Sequence, residues 1–76
     1  MISPAQCRAA RALLNLSQRQ LAEAARISLR SVQGFERGEH ALRSAAMTAI
    51  EGIFSNRGIV FISDPDWMGV KIETAR

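Results

Sequence analysis

Apolar residues recur along residues 16–38 at the spacing of two short amphipathic helices that are separated by a tight turn. The apolar positions in this stretch are Leu16, Leu21, Ala22, Ala25, Ile27, Val32 and Phe35. A serine precedes each helical run, Ser17 before the first and Ser28 before the second. A serine hydroxyl at a helix start accepts a hydrogen bond from a backbone N–H group that the helix leaves unpaired. The pattern predicts helices over about residues 18–25 and 29–37.

The residues on either side of this pair predict two further helices. Ser3, Pro4 and Gln6 form a capping box with proline at the first helical position. The helix that they begin ends just before Asn15, a residue type that tolerates a left-handed backbone. Its inward side chains, spaced i, i+3 and i+7, are Cys7, Ala10 and Leu14. A fourth helix over about residues 44–56 places four apolar side chains on one stripe, namely Met47, Ile50, Ile53 and Phe54.

The tail of the chain changes from helical to strand-like sequence. Residues 59–62 are rich in β-branched side chains, residues 63–66 have turn chemistry, and residues 70–74 alternate apolar with polar positions. We therefore predict a C-terminal β-hairpin in residues 58–76, in the same domain as a helical bundle over residues 1–57. An isolated two-stranded hairpin is marginally stable. We expect it to pack on the helices or to pair through its exposed edge with a second copy, as a dimerisation element.

Length and composition indicate one globular domain. The chain has 76 residues, close to the lower limit for folding on a single core, and 47% of them are apolar. No apolar run approaches the roughly 20 residues of a membrane span, and the first residues lack the pattern of a secretory signal. The single cysteine cannot form an internal disulfide. We therefore expect a cytoplasmic protein without membrane contact.

The net charge of +3 is unevenly distributed. Residues 8–43 contain seven arginines against three glutamates, whereas residues 44–76 carry three cations against four carboxylates. Nine of the ten cations are arginine, whose planar guanidinium suits phosphates and guanine edges. The basic half of the chain is therefore the half with the two capped helices, although an ordinary solvated surface would also explain this charge.

Catalytic and metal-binding patterns are absent from the sequence. One cysteine and one histidine are too few for a zinc site. No Ser/His/Asp or Cys/His arrangement is spaced for nucleophilic catalysis, and no glycine-rich loop follows a strand to hold phosphates. We expect neither an enzyme nor a bound cofactor.

Two capped helices around a tight turn are the layout of a helix-turn-helix, whose second helix enters the major groove of double-stranded DNA. At these residues the chain resembles the phage-repressor-like, Xre-type helix-turn-helix family of bacterial regulators. The matching residues are Arg11, LSQRQLA at 16–22, Ile27-Ser28 and SVQGFERG at 31–38. The resemblance implies a mainly α fold, a lambda-repressor-like bundle of four helices with the motif at residues 17–38, here followed by the predicted hairpin.

The chain departs from the family pattern at two positions. The family usually has glycine in the turn between the motif helices, where this chain has Arg26. A non-glycine residue in a left-handed conformation costs about 1 kcal/mol, so we expect a slightly remodelled turn. Gly34 occupies a position in the second motif helix where the family often places a DNA-contacting side chain. We expect it to leave a thinner DNA-reading face.

Three residues are candidates for reading bases. Arg30, in the first turn of the second motif helix, can donate two hydrogen bonds to guanine O6 and N7. Its alternatives are a phosphate contact or a free surface arginine. Leu29 is expected to be exposed, where it would contact a thymine methyl group, although single exposed leucines are common. Gln33 can reach adenine N6 and N7, or simply face solvent.

Other candidates would contact the DNA backbone. Gln18 and Ser28 lie at helix N-termini, which favour phosphate, and their alternative role is capping alone. Arg19, Arg37 and Arg43 flank the reading helix, although a solvated arginine needs no explanation. The complete expected DNA-binding set is Gln18, Arg19, Ser28, Leu29, Arg30, Ser31, Gln33, Arg37 and Arg43.

The remaining candidate residues are expected to have structural roles rather than to bind DNA. The family resemblance implies an ion pair between Arg11 and Glu36 that ties the first helix to the third. Cys7 is expected to be a core residue, with redox sensing as the alternative, and His40 is expected to be solvated. Trp67 is expected to fill a small core or a dimer contact rather than stack on a base.

The sequence and the resemblance together predict a sequence-specific DNA-binding regulator of transcription, a repressor rather than an activator. One recognition helix covers few base pairs, so we expect a homodimer on a palindromic operator. Two alternatives remain open at this point. One is a protein-interaction module that retained the fold, and the other is an antitoxin-like protein whose C-terminal segment binds a second protein.

Overall fold

The computed structural model describes residues 1–74, in which four helices precede a two-stranded antiparallel sheet. In chain order the elements are α1 (Pro4–Leu14), α2 (Gln18–Ala25), α3 (Leu29–Glu36), α4 (Ser44–Asn56), β1 (Ile59–Ser63) and β2 (Met68–Ile72). The mainly α fold with a C-terminal hairpin is therefore confirmed. The last two residues of the predicted tail lie outside the described residues. None of the described helices is long and apolar enough to cross a membrane.

The first three helices begin at the serine caps that the sequence predicts. The hydroxyl groups of Ser3, Ser17 and Ser28 accept hydrogen bonds of 2.9–3.1 Å from the backbone N–H three residues later. The first two caps are complete capping boxes. Asn15 ends α1 in a left-handed conformation at φ 56°. The third helix ends at Glu36, one residue earlier than predicted, and the chain then turns through Gly38 at φ 77°.

Apolar side chains from all four helices and from β1 form one core. Its fully buried members include Phe54, Leu21, Ile50, Val32 and Cys7. The burial of Cys7 confirms its prediction as a core residue. The hairpin joins this core through β1, where the Phe61 ring meets the Phe54 ring edge to face, with centroids 5.9 Å apart.

The hairpin differs from its prediction in the position of the loop. The pairs Ile59 with Ile72 and Ser63 with Met68 define the two ends of the ladder, so β2 begins two residues earlier than expected. The physical reason is Asp64, whose Oδ1 accepts hydrogen bonds from the backbone N–H groups of the second and third residues that follow it. This side chain closes a four-residue loop and lets pairing start immediately afterwards.

Gln6 fixes the hairpin on α1. Its side chain is almost completely buried, and Nε2 lies 3.1 Å from the carbonyl oxygens of Ile62 and Gly69 and from Ser63 Oγ. The other end of the amide, Oε1, accepts a hydrogen bond from the backbone N–H of Ser3. One glutamine therefore caps its own helix and binds both strands, which places the hairpin against the helices.

Candidate nucleic-acid interface

The turn between α2 and α3 retains the left-handed geometry that favours glycine. Arg26 has φ 59° and ψ 43°, so the expected remodelling of the turn does not occur. The backbone N–H of Arg26 donates to Glu23 O at 3.2 Å, and that of Ile27 donates to Ala22 O at 3.0 Å. These bonds satisfy carbonyls at the end of α2 and offset the conformational cost of a non-glycine residue. The motif helices therefore keep a compact connection.

The third helix has one buried face and one outward face. Val32, Phe35 and Glu36 are buried. Successive helical residues are about 100° apart, so Arg30, Gly34 and Arg37 fall on one stripe directly opposite that buried face. We call this set the outward stripe of α3. Its two arginines, Arg30 and Arg37, are exposed to solvent, whereas Gly34 is buried.

The candidate base-reading residues do not all lie on the outward stripe. Arg30 is exposed in the first turn of α3, whereas Gln33 and Ser31 are half-buried on its two flanks. The expectation that Leu29 is exposed is wrong, because this side chain is half-buried and packs against the core. Its angular position lies next to that of buried Glu36, which explains the packing. Arg30 is therefore the best-placed of the three candidates to project from the helix.

The candidate phosphate contacts fall into two groups. Arg19 and Arg43 are exposed, and Arg43 is also the N-cap residue of α4, where its side chain makes no cap hydrogen bond. The other two long side chains already have protein partners: Gln18 Nε2 donates to Glu36 Oε1 at 3.0 Å, and Arg37 lies 3.6 Å from the Glu39 carboxylate. The hydroxyl of Ser28, besides capping α3, is also 2.8 Å from Ser31 Oγ.

Arg11 and Glu36 lie together between α1 and α3, as the family resemblance implies. Arg11 donates to the carboxylate twice, from Nε to Oε2 and from Nη2 to Oε1, each at 2.7 Å. A third nitrogen, Nη1, donates to Leu16 O at 3.1 Å. The Glu36 side chain is 2% exposed and that of Arg11 is 18% exposed. The pair is therefore bidentate and largely shielded from water.

Two further side chains complete the hydrogen bonding of the Glu36 carboxylate. Cys7 Sγ donates to Oε2 at 3.0 Å, and Gln18 is the second of these donors. Burial alone would raise the pKa of Glu36, but the bonds from Arg11, Cys7 and Gln18 outweigh it and hold that pKa below its ordinary value. Burial, together with the bond to Glu36, raises the pKa of the Cys7 thiol, which stays protonated and donates. The carboxylate thus joins α1, α2 and α3 as an anion.

Several contacts around α3 were missed by sequence reasoning. Gly34 does not leave an open gap, because it is buried beneath the ring of His40. The only sequence signal for this contact is a glycine in the interior of a helix, on its polar face. The bonds from Cys7 and Gln18 to Glu36 leave no signal in local spacing. Trp67 is 72% exposed, so the expectation of a core role for it is wrong.

The described residues contain no group of three or more His, Cys, Asp or Glu side chains that could hold a metal ion. The chemistry of the surface around α3 is instead that of arginines beside capped helix N-termini. This combination suits a polyanion that carries hydrogen-bonding groups in a groove.

Comparison with known proteins agrees with this geometry. A family model described as Helix-turn-helix matches residues 8–54. The match includes most of α1, all of α2 and α3 and nearly all of α4, and it ends before the hairpin. No significant match is found among curated proteins.

Proposed function

Because this chain belongs to the helix-turn-helix family of DNA-binding regulators, we propose that it is a repressor that binds a palindromic operator as a homodimer. The observation that carries the proposal is the outward stripe of α3, where Arg30 projects away from the core at the start of the motif's second helix. A helix presented in this way inserts its N-terminal side chains into the major groove.

In the proposed complex Arg30 reads a guanine through O6 and N7. Gln33 contacts an adjacent base from the flank of α3, and Leu29 reaches a thymine methyl only with the part of its side chain that remains exposed. Ser28 and Ser31 present the N-terminus of α3 to a phosphate.

Arginines around the motif supply the remaining backbone contacts of the proposed complex. Arg19 and Arg43 are exposed and free to reach phosphates. The side-chain amide of Gln18 is bonded to Glu36. In the proposed complex Gln18 therefore contacts a phosphate through its backbone N–H at the N-terminus of α2. Arg37 must exchange its surface contact with Glu39 for a phosphate. Such an exchange costs little, because exposed ion pairs are worth about 0–1 kcal/mol.

Dimerisation through the hairpin would supply the two-fold symmetry. Val60 is 48% exposed on the face of the hairpin opposite Phe61, and Trp67 and Met68, which are 72% and 64% exposed, add apolar surface at its loop end. The chain measures 34 × 30 × 19 Å, so two neighbouring copies can place their α3 helices about one DNA turn, or about 34 Å, apart. A dimer bound across a promoter would block polymerase, which is the basis of the repressor assignment.

Selection from a random DNA pool at near-physiological salt tests the proposed operator. We expect two inverted half-sites, with one guanine in each whose preference is lost in Arg30→Ala. Arg57→Ala, at the far end of α4, is the matched control and should retain the complete motif. Weak, steeply salt-dependent binding without a motif would refute a specific operator. Equal weakening of Arg30→Ala on every sequence would reassign this residue to a phosphate.

Sedimentation velocity tests the proposed dimer. The wild-type chain should sediment as a dimer, and Val60→Lys should sediment as a folded monomer because it places a charge in the apolar contact. Thr48→Lys, which adds the same charge to the exposed side of α4, should remain dimeric. A wild-type chain that is monomeric throughout the micromolar range, with or without operator DNA, would refute the homodimer.

The exposed hairpin surface also favours a second candidate function. Trp67 and Met68 lie together at the loop end of the hairpin and are largely exposed. In an antitoxin-like regulator this surface would bind a different protein while α3 binds DNA. Copurification of a stoichiometric partner that is lost in Trp67→Lys, together with a monomeric purified chain, would favour this candidate over the homodimer.

A further inference from the structure

The outward stripe of α3 carries long side chains at both ends and none in its middle. Arg30 and Arg37 stand one turn on either side of Gly34, which has no side chain of its own. Gly34 is nevertheless buried, although it lies on the face opposite the core. Another part of the chain must therefore cover it.

The imidazole of His40 is the group that covers Gly34. A Cβ atom built on this glycine would lie 2.6 Å from Cδ2 and 2.9 Å from Cε1 of the ring, and closest of all to Nε2. Distances this short show that the ring occupies the volume in which a residue-34 side chain would begin. His40 itself is exposed, so its ring forms part of the outer surface between the two arginines.

The loop after α3 holds the ring in this position. The backbone N–H groups of Gly38 and Glu39 donate to carbonyls of α3, Phe35 O and Gly34 O, each at 2.9 Å. The chain therefore folds back over the end of the helix. The ring atom Nδ1 lies 3.2 Å from Ala41 O. A carbonyl only accepts, so this hydrogen bond requires the proton on Nδ1.

We propose that His40 is a base-contacting residue that replaces the missing side chain at position 34 in the major groove. This inference rests on the proposed function and adds a specificity determinant to it. The ring lies midway between Arg30 and Arg37 on the stripe that would enter the groove, which favours a base edge over a phosphate. Gly34 is then required because any larger residue would displace the ring.

Two substitutions remove the contact in different ways, and a third controls for helix stability. His40→Ala deletes the ring. Gly34→Ala keeps the ring but adds a methyl group in the volume that the ring occupies, so the ring must move. Gly52→Ala is the matched control, because this glycine is also helical and a Cβ built on it meets nothing within 4 Å. Replacing the helical glycine in the control should raise the Tm by about 2–8 °C. Thermal unfolding of all three variants shows whether any loss of binding reflects misfolding.

The test is selection from a random DNA pool with the wild-type chain and the three variants. Both His40→Ala and Gly34→Ala should lose preference at the same base pair of each half-site, by about five- to tenfold, while Gly52→Ala keeps it. The lost preference should fall at the base pair that faces the ring. His40 is the single histidine of the chain, so its ¹⁵N imidazole signal should also shift on addition of the selected duplex.

The outcomes separate this inference from the proposed function. If His40→Ala selects the same motif as the wild type, the inference about His40 is overturned. The proposed operator, read by Arg30, would not be affected by that result. A uniform loss of affinity across all sequences would assign the ring to a phosphate and would also overturn it. A wild-type chain that selects no motif would refute the proposed operator and the base contact together.

Discussion

Replacing Arg11 with methionine should lower the free energy of unfolding by about 3 kcal/mol. The substitution keeps the length of the apolar stem but removes both bonds to Glu36, whose carboxylate is 2% exposed. Breaking a buried pair from one side costs about 3–5 kcal/mol, because the remaining charge is left without its partner. The Arg11 side chain is 18% exposed, so water already screens it in part and the lower end of that range applies.

This loss is large for a domain of 76 residues. Chains of this length unfold with a free energy of about 4–11 kcal/mol. Arg11→Met should therefore fold but melt at least about 12 °C below the wild type. Chemical denaturation at neutral pH measures the difference, and Arg19→Met, the same change at an exposed site on α2, should stay within about 0.5 kcal/mol. A loss below about 1 kcal/mol in Arg11→Met, typical of a surface pair, would refute the reasoning.

A double-mutant cycle then asks whether the two residues act as one unit. Glu36→Gln should cost less than Arg11→Met, because a neutral amide replaces the buried anion and still accepts a hydrogen bond. The combined variant should be more stable than the sum of the two single losses predicts, with a coupling of at least about 1 kcal/mol. Additive losses would show that Arg11 stabilises the fold through its bond to Leu16 or its stem alone.

Three further outcomes follow from contacts described above. Hydrogen bonds hold the pKa of Glu36 below its ordinary value of 4.5, so near and below this pH the unfolded chain binds more protons than the folded chain. The free energy of unfolding should therefore fall as the pH drops below about 4.5. An equal fall in the Glu36→Gln variant would contradict this. Gln6→Ala should lower the free energy of unfolding by about 1–3 kcal/mol and raise amide hydrogen exchange in the hairpin more than in α3. An equal rise in both would show that Gln6 does not hold the hairpin on the helices. Arg26→Gly should gain about 0.5–1 kcal/mol by relieving the left-handed arginine, while Arg26→Ala, which keeps the strain, should not; equal stabilities of these two variants would show that the turn stores no strain.

The helices and their ends could be predicted from the sequence because their causes are local. A serine cap and its partner three residues later satisfy each other within one turn, as Ser3 and Ser17 show. Asparagine at position 15 is a residue type that adopts the left-handed backbone more readily than most. The hairpin was predictable as an element, but its loop was not, because one carboxylate oxygen of Asp64 decided where pairing begins.

The candidate interface could be predicted less completely, because several of its features depend on contacts between distant segments. The burial of Leu29 arises from core residues of other elements, which periodicity within one short helix does not report. The ring of His40 covers Gly34 because a loop folds back over the helix, and no spacing rule encodes that return. The triple use of Gln6 is also invisible in sequence, where this residue indicates only a cap.

The convergence of donors from α1 and α2 on Glu36 also has a consequence for the kinetics of recognition. The third helix is bonded to two others before it meets any ligand, so its orientation is set during folding rather than during association. The protein therefore loses little conformational entropy when α3 enters the DNA groove. Association should therefore be a docking of preformed surfaces, with a rate constant limited by electrostatic steering, and the heat-capacity change on binding should reflect the interface area without a contribution from coupled folding.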